Sequence, residues 1–413
     1  QGVKLLKKLF PDTPIALGGI SSTIFHEELM EWEEVDYVIR GDSAKEPLKK
    51  LLDYEISKKG DLAGIPNLTY KTASGDVKIN SLEYVENTID DDANDYQSFF
   101  YNIFKYGDML RATPYHDWYK NPMIVVKAFL GCNYNCVICG GGNSAYKMYG
   151  RKKIAKRDPY KLAEDIWKIT KYARSPIFII GDLRMGGEKY AYDFLLALKQ
   201  YRDKIENPIC VELAEPADEK YLKALSESIK HLQLEMSPEV HDDQLRKILG
   251  KNYSSEALLE TIQKALYFGA ETFRVYLMLG LPKQTEESVR KTIKWGCSIM
   301  EKFGKKVTVL FSPLVFFLDP CSIAFRKPSE YGVKLKTKTL NDFLELIENG
   351  ETWKHFLNYE TENLSPEKIT ELTYWTAEER INSMIKTGLM DNSAGMEALE
   401  EIKRIRKINA AID

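Results

Sequence analysis

Met123-Ile-Val-Val-Lys-Ala-Phe-Leu-Gly-Cys-Asn-Tyr-Asn-Cys-Val-Ile-Cys139 decides how this chain is read. Its first half, Met123–Leu130, is an apolar run broken only by Lys127 and reads as a buried strand. Its second half places Cys132, Cys136 and Cys139 in a C-x3-C-x2-C triplet. The chain has six cysteines, and Cys210, Cys297 and Cys321 are scattered singletons. Three neighbouring thiolates can wrap a compact metal centre, yet three is an odd number for the usual uses. Disulfides want pairs, structural zinc wants four ligands, and a four-iron cluster normally takes four. A disulfide framework lacks both a secretory signal and paired spacings. A zinc site needs a fourth ligand, and the nearest candidate is His116, in a segment that reads as linker. An electron-transfer ferredoxin would show a fourth cysteine in a characteristic run. A three-cysteine cluster leaves one iron open to a small molecule.

Outward from the triplet, strand and helix signals alternate. Asp158 is a helix cap with Pro159 in the first turn, and Leu162, Ile166 and Ile169 follow on one face. Strand-like runs recur at Pro176–Ile180, Pro208–Leu213, His231–Met236, Thr272–Leu279 and Lys306–Phe311. Helical patterns separate them at Glu188–Ile205, Asp218–Ile229, Ser255–Phe268 and Thr285–Phe303. Six strands alternating with helices imply an α/β fold: a parallel sheet curved into a full or partial barrel, with ligands at the carboxyl ends of the strands. The cysteine loop sits at the end of the first strand.

On these residues, 121–320 resemble the radical SAM superfamily, a six-fold β/α partial barrel with C-x3-C-x2-C after its first strand. The resemblance implies a 4Fe-4S cluster whose open iron is chelated by the amino and carboxylate groups of S-adenosylmethionine. The family position before the third cysteine is usually aromatic; here it is Ile138, which can still pack against adenine. The stretch His231–Arg246 resembles the fourth-strand motif, in which Ser237 and Glu239 approach the ribose or methionine moiety and Arg246 meets the carboxylate. A carboxylate suits a guanidinium fork. The plainer alternative is a helix start in which Ser237 caps and Glu239 complements the dipole. Tyr276–Thr285 resembles the fifth-strand end, whose backbone lines the adenine pocket, with Gly280 permitting close approach and Pro282 ending the strand. Gly186-Gly187-Glu188 matches the element that contacts the amino group, or is a turn before a helix. The implied chemistry is one-electron cleavage of the sulfonium to a 5′-deoxyadenosyl radical, fed by a reductant such as ferredoxin or flavodoxin.

The segment before the barrel narrows the class. Pro14-Ile-Ala-Leu-Gly-Gly19, a helix around Glu27–Glu31 and Val35-Asp-Tyr-Val-Ile-Arg-Gly41 fit the back half of an open α/β domain. This resembles the second half of the cobalamin-binding domain that precedes many radical SAM barrels. Gly18 and Gly19 would then let the nucleotide tail approach the backbone, and Gly41-Asp42 matches the turn after the last strand. The first half, with the loop that can supply a cobalt ligand, is absent, so the sequence is expected to be truncated. His26 reads as a surface helix residue rather than a replacement ligand.

The expected organisation is therefore 1–60, a partial Rossmann-like cobalamin-binding domain; 61–120, a hairpin turning near Ser74-Gly75-Asp76 and a linker; 121–320, the barrel; and 321–413, a mostly helical C-terminal region. That region resembles an uncharacterised, largely archaeal branch of the class, in which Gly usually stands where this chain has Cys321. Cys321 reads as a buried singleton rather than an extra ligand. A net charge of −3 over 413 residues gives no electrostatic footprint for nucleic acid. No apolar stretch is long enough to span a bilayer, and free singleton cysteines suit a reducing, cytoplasmic compartment. The expectation is a cobalamin-dependent radical SAM C-methyltransferase. The alternatives are an enzyme of the same class that forms or rearranges a bond without methylating, and a non-catalytic iron–sulfur module. The substrate, a small molecule or a lipid-like one, is not selected by any residue.

Overall fold

The computed structural model describes residues 2–57, 59–92, 95–107, 122–313 and 317–412. His116 and Asn121 lie outside the described residues. The chain divides into two compact units, each built from several stretches.

The first unit takes residues 1–87, 131–154 and 316–360. Four short strands, β1 (Ala16–Gly18), β2 (Tyr37–Ile39), β3 (Leu68–Lys71) and β4 (Val77–Ile79), form one sheet in that order. β1 and β2 are parallel, whereas β2–β3 and β3–β4 are antiparallel. The hairpin β3–β4 extends the sheet begun by the parallel pair β1–β2, so residues expected to lie in a separate hairpin and linker share one sheet with the first segment. The hairpin turns where Thr72 accepts from Gly75 and donates to Asp76. All three residues of β2 are buried, as a central strand requires.

The second unit takes 88–130, 155–315 and 361–413. Its sheet has six parallel strands: β5 (Ile124–Lys127), β8 (Ile177–Ile180), β9 (Ile209–Leu213), β10 (Leu232–Glu239), β11 (Thr272–Leu279) and β12 (Val307–Pro313). Between β5 and β8 lies a small antiparallel pair, β6 (Phe129–Leu130) with β7 (Ala155–Lys156). The apolar run Met123–Leu130 is thus two strands, not one. They part at Ala128, whose carbonyl accepts from Arg157 N.

The sheet order β5-β8-β9-β10-β11-β12 follows the chain. Strands added one after another with right-handed crossovers put every crossover helix on the same face. Burial agrees: β10 and β11 alternate between fully buried and partly covered residues along nearly their whole length. The helices begin where the sequence marks them. Asp158 accepts from the amides of Tyr160 and Lys161, and Asp218, Ser254 and Thr285 cap the helices Glu219–Ser228, Ser255–Tyr267 and Glu286–Phe303. The long C-terminal helices Pro366–Lys386 and Asn392–Ile412 complete this unit, and Arg380 Nε donates to the Val309 carbonyl at 3.2 Å. Two further short strands, β13 (Val333–Leu335) and β14 (Tyr359–Thr361), pair with each other. Among the described residues no helix is long and apolar enough to cross a membrane.

Candidate active site

Gly131 opens the cysteine loop with φ +107, a conformation an L side chain rarely adopts. A Cβ there would also meet Arg151 Cδ and Ile154 at 3.1 Å. The loop turns on itself through Cys139 N to Cys136 O at 3.2 Å and Asn143 N to Tyr134 O at 2.8 Å. Two amides point at sulfur: Tyr134 N donates to Cys132 Sγ at 3.4 Å and Gly141 N to Cys139 Sγ at 3.3 Å. Such donors favour thiolates. Cys132 and Cys136 are half-buried, Cys139 is exposed, and Ile138 is half-buried between the last two. Among the described residues no three His, Cys, Asp or Glu side chains converge tightly enough to hold a single ion.

The unit around this loop is clamped to it. A Cβ at Gly140 would fall inside the carboxylate of Asp319, so any other residue after Cys139 must displace that side chain. Ala324 N donates to Val137 O at 3.0 Å, and Tyr149 Oη to Gly140 O at 3.3 Å. Cys321 is fully buried beside Ala145 and Tyr149, and burial pushes its thiol pKa up. It is a packing residue, as expected. Arg151 reaches Asp42 with two guanidinium nitrogens, at 2.5 and 3.1 Å, and also donates to Ser43 Oγ and Glu86 O. The turn Gly41-Asp42 is thereby tied to the residues that follow the cysteines, which spacing alone does not reveal.

Gly18 ends β1, and Gly19, at φ +95, begins the helix Ile20–Ile24. Nothing lies within 4 Å of a Cβ built on Gly19, so its backbone is open. Thr23 Oγ1 accepts from Gly41 N at 2.9 Å, joining the two glycine turns. His26 is half-buried rather than superficial: its Nδ1 lies 3.3 Å from Thr69 Oγ1, and burial holds its pKa below the usual histidine range.

In the sheet unit, Ser237 and Glu239 lie in β10, not at a helix start; Asp242 caps the next helix, Asp243–Ile248. The β10–β11 register shifts between Met236 and Glu239, and Glu239 has φ +68, strained for a side-chain-bearing residue. Its side chain is buried, with Oε1 paired to Lys251 Nζ at 2.9 Å. Oε2 has no partner among the described residues. A buried orphan carboxylate oxygen at a strained position is an acceptor awaiting donors.

Arg246 departs from the carboxylate-binding expectation. It is fully buried, and its guanidinium donates to the carbonyls of Pro238, Val240, His241 and Tyr253, to Asp243 Oδ1 and to Ser255 Oγ. Its five N–H groups are committed. Arg246 is the bolt that shapes the turn after β10, and the motif spacing alone cannot tell a ligand fork from this one.

Gly280 ends β11 at φ +81. Gly186 is required by packing, because a Cβ would stand 2.5 Å from the Tyr190 ring, and its carbonyl accepts from Lys156 Nζ at 3.1 Å. Gly187, at φ +97, starts the helix Glu188–Lys199. Glu188 is largely exposed and pairs with Lys220 at 3.2 Å.

Residues 126–296 match the model of the radical SAM superfamily. The matched residues include the cysteine loop and the strands β8 to β11. Solved radical SAM structures share the fold of this chain. The methyltransferase TsrM from Kitasatospora setae, with cobalamin and a 4Fe-4S cluster bound, aligns with TM-score 0.62 and 14% identity over 95% of this chain and 75% of that one. The same enzyme with tryptophan substrate and a SAM analogue gives TM-score 0.63, over 100% and 84%. The cobalamin-dependent enzyme OxsB, with aqua-cobalamin and S-adenosylmethionine, gives TM-score 0.59 and 15% identity over 98% and 60%. An uncharacterized protein of Methanocaldococcus jannaschii is 21% identical over 148 residues. That match covers 32% of this chain and about a third, 33%, of the relative's length.

Proposed function

We propose that this chain cleaves S-adenosylmethionine reductively at a 4Fe-4S cluster held by Cys132, Cys136 and Cys139, and uses the product radical chemistry in a cobalamin-dependent C-methylation. The observation that carries the reading is the cysteine loop inside a matched radical SAM domain, with amide donors on two of its sulfurs. When bound, these cofactors supply the electron transfer, the radical and the methyl group.

The protein's own contribution is positional. Gly131, Gly140 and Gly142 let the loop fold tightly: a Cβ at Gly142 would meet Tyr134 O at 3.1 Å. The amides of Tyr134 and Gly141 hold negative charge on sulfur. Glu239, with its free buried oxygen, and Ser237 beside it are the acceptors offered to ribose hydroxyls. Gly280 allows adenine to approach the end of β11. Gly187 is the corresponding approach for the amino group, and Gly18 with the open backbone of Gly19 is that for the cobalamin nucleotide tail. The expected electron donor is a ferredoxin or flavodoxin. The likeness in fold to TsrM, a methyltransferase, favours methyl transfer as the outcome.

The test uses anaerobically purified protein reconstituted with iron and sulfide and given cobalamin, S-adenosylmethionine and a strong reductant. 5′-Deoxyadenosine together with cobalamin-dependent S-adenosylhomocysteine is expected. 5′-Deoxyadenosine alone, under saturating cobalamin, keeps the radical enzyme and favours the non-methylating alternative. Failure of the protein to bind both iron and S-adenosylmethionine removes the reading altogether.

A further inference from the structure

The six-stranded sheet leaves one face uncovered by crossover helices, and that face carries an unusual layer. In register across the strands stand Lys127, Ile180, Glu212, Glu235, Arg274 and Thr308: Lys127 pairs with Ile180, Glu212 with Glu235, Glu235 with Arg274, and Arg274 with Thr308. None of the six is fully buried, whereas their strand neighbours Val126, Ile179, Val211, Leu234, Phe273 and Val309 all are. A barrel interior built for stability is filled with branched apolar side chains. This one is open and charged.

Charge in the layer does not balance. Lys127 is engaged by Asp92 at 2.8 Å. That leaves two carboxylates, side by side on adjacent strands, against the Arg274 guanidinium. Like charges directly opposite one another destabilise a sheet. Arg274 is only loosely placed against Glu235, at 3.9 Å, and spends its closest bond, 2.8 Å, on Gln233. Glu235 Oε2 accepts from Tyr276 Oη at 3.3 Å and Cys210 Sγ at 3.4 Å, and Glu212 Oε2 accepts from Gly181 N at 2.8 Å. Among the described residues, no hydrogen bond reaches Oε1 of either carboxylate. In the same layer the apolar side chain of Ile180 is nearly half exposed, at 45%.

We propose that this layer is a substrate subsite for a primary amine, with Glu212 and Glu235 accepting the ammonium group and Ile180 covering the adjoining hydrocarbon. The inference rests on the radical SAM enzyme reading, since it supplies that enzyme with a substrate class. Glu235 behaves accordingly: burial, then the neighbouring Glu212, push its carboxyl above the usual carboxylate range. A carboxylate whose ionisation is opposed by burial and a like charge is stabilised by an incoming cation.

The test is titration calorimetry of the reconstituted full chain with benzylamine, benzyl alcohol and phenylacetate. Benzylamine is expected to bind, and phenylacetate is expected not to. Glu212→Gln/Glu235→Gln should weaken benzylamine by roughly tenfold or more, the value of a charge-assisted hydrogen bond. Gln keeps the shape and removes the like-charge repulsion, so this variant is expected to stay folded, with thermal unfolding as the check; Glu235→Gln alone serves if it does not. Three results overturn the proposal: phenylacetate binding as well as benzylamine, no benzylamine binding, or an affinity indifferent to the substitutions. Equilibrium dialysis with S-adenosylmethionine on the same samples separates the two ideas. Bound S-adenosylmethionine without benzylamine sinks the subsite and keeps the enzyme; absence of S-adenosylmethionine binding counts against the enzyme whatever the amine does.

Discussion

Arg151→Met tests whether a buried ion pair holds the cysteine loop. The Arg151 and Asp42 side chains are only 2% and 3% exposed, so solvent screens neither charge. Methionine keeps the apolar stem near Gly131 and removes the guanidinium with its bonds to Asp42, Ser43 and Glu86. The Asp42 carboxylate is then buried without a counter-charge. Removing one partner of a buried pair costs about 3–5 kcal/mol, and Asp42→Leu should cost a similar amount by stranding the guanidinium. The double variant Asp42→Leu/Arg151→Met strands neither charge, and replacing a buried pair by apolar residues is often close to neutral. The double variant should therefore lie well below the sum of the singles, with a coupling of at least about 2 kcal/mol. Urea unfolding followed by circular dichroism gives the four stabilities, and iron content after reconstitution gives the loop's integrity. Iron retention should fall in both single variants and recover in the double. Single variants costing under about 1 kcal/mol, as exposed pairs do, or strictly additive losses, would refute this account.

Replacing Cys132, Cys136 or Cys139 with Ala should abolish the iron–sulfur absorbance after reconstitution, whereas Cys321→Ala should leave iron content unchanged; full iron in any of the first three discards the ligand assignment. Gly140→Ala forces a methyl group into the Asp319 carboxylate, an overpacking of about 1–3 kcal/mol; it should lower thermal stability and iron uptake together, and Gly140→Ala/Asp319→Ala should restore both. Arg246→Met should destabilise by about 3–5 kcal/mol, while S-adenosylmethionine affinity per folded molecule stays within a few-fold; a selective loss of affinity at full stability would return Arg246 to the cofactor. The raised Glu235 carboxyl has a definite sign. The folded state binds its proton more tightly than the unfolded state, so this group's contribution falls as pH rises from the ordinary carboxylate pKa through the raised one. Glu235→Gln should flatten the decline in melting temperature over that window, and parallel curves for the two proteins would contradict the burial argument.

Several features follow from the sequence because their physics is local. The cysteine spacing, the strand–helix alternation and the caps Asp158, Asp218 and Thr285 depend on residues a few positions apart. They lead directly to a parallel six-stranded sheet with a cysteine loop after its first strand. The turn at Ser74-Gly75-Asp76 is legible for the same reason. Even the polar alternation Gln233, Glu235 and Arg274, Tyr276 is visible as a period of two, although it does not say which residues share a layer.

Tertiary structure decides what a side chain does once its neighbours arrive. Ser237, Glu239 and Arg246 stand at motif spacing in the sequence, yet the fold leaves Glu239 an orphan oxygen and spends every Arg246 donor on the turn around it. Gly140 reads as one of three successive glycines, but its necessity comes from Asp319, far along the chain. Asp42 and Arg151 are 109 positions apart, and no local pattern pairs them. The Glu212–Glu235–Arg274 layer depends on strand register, which backbone hydrogen bonding between distant segments sets. Charge balance, burial and free lone pairs are properties of such assembled neighbourhoods, and these determine which residues are left to meet a ligand.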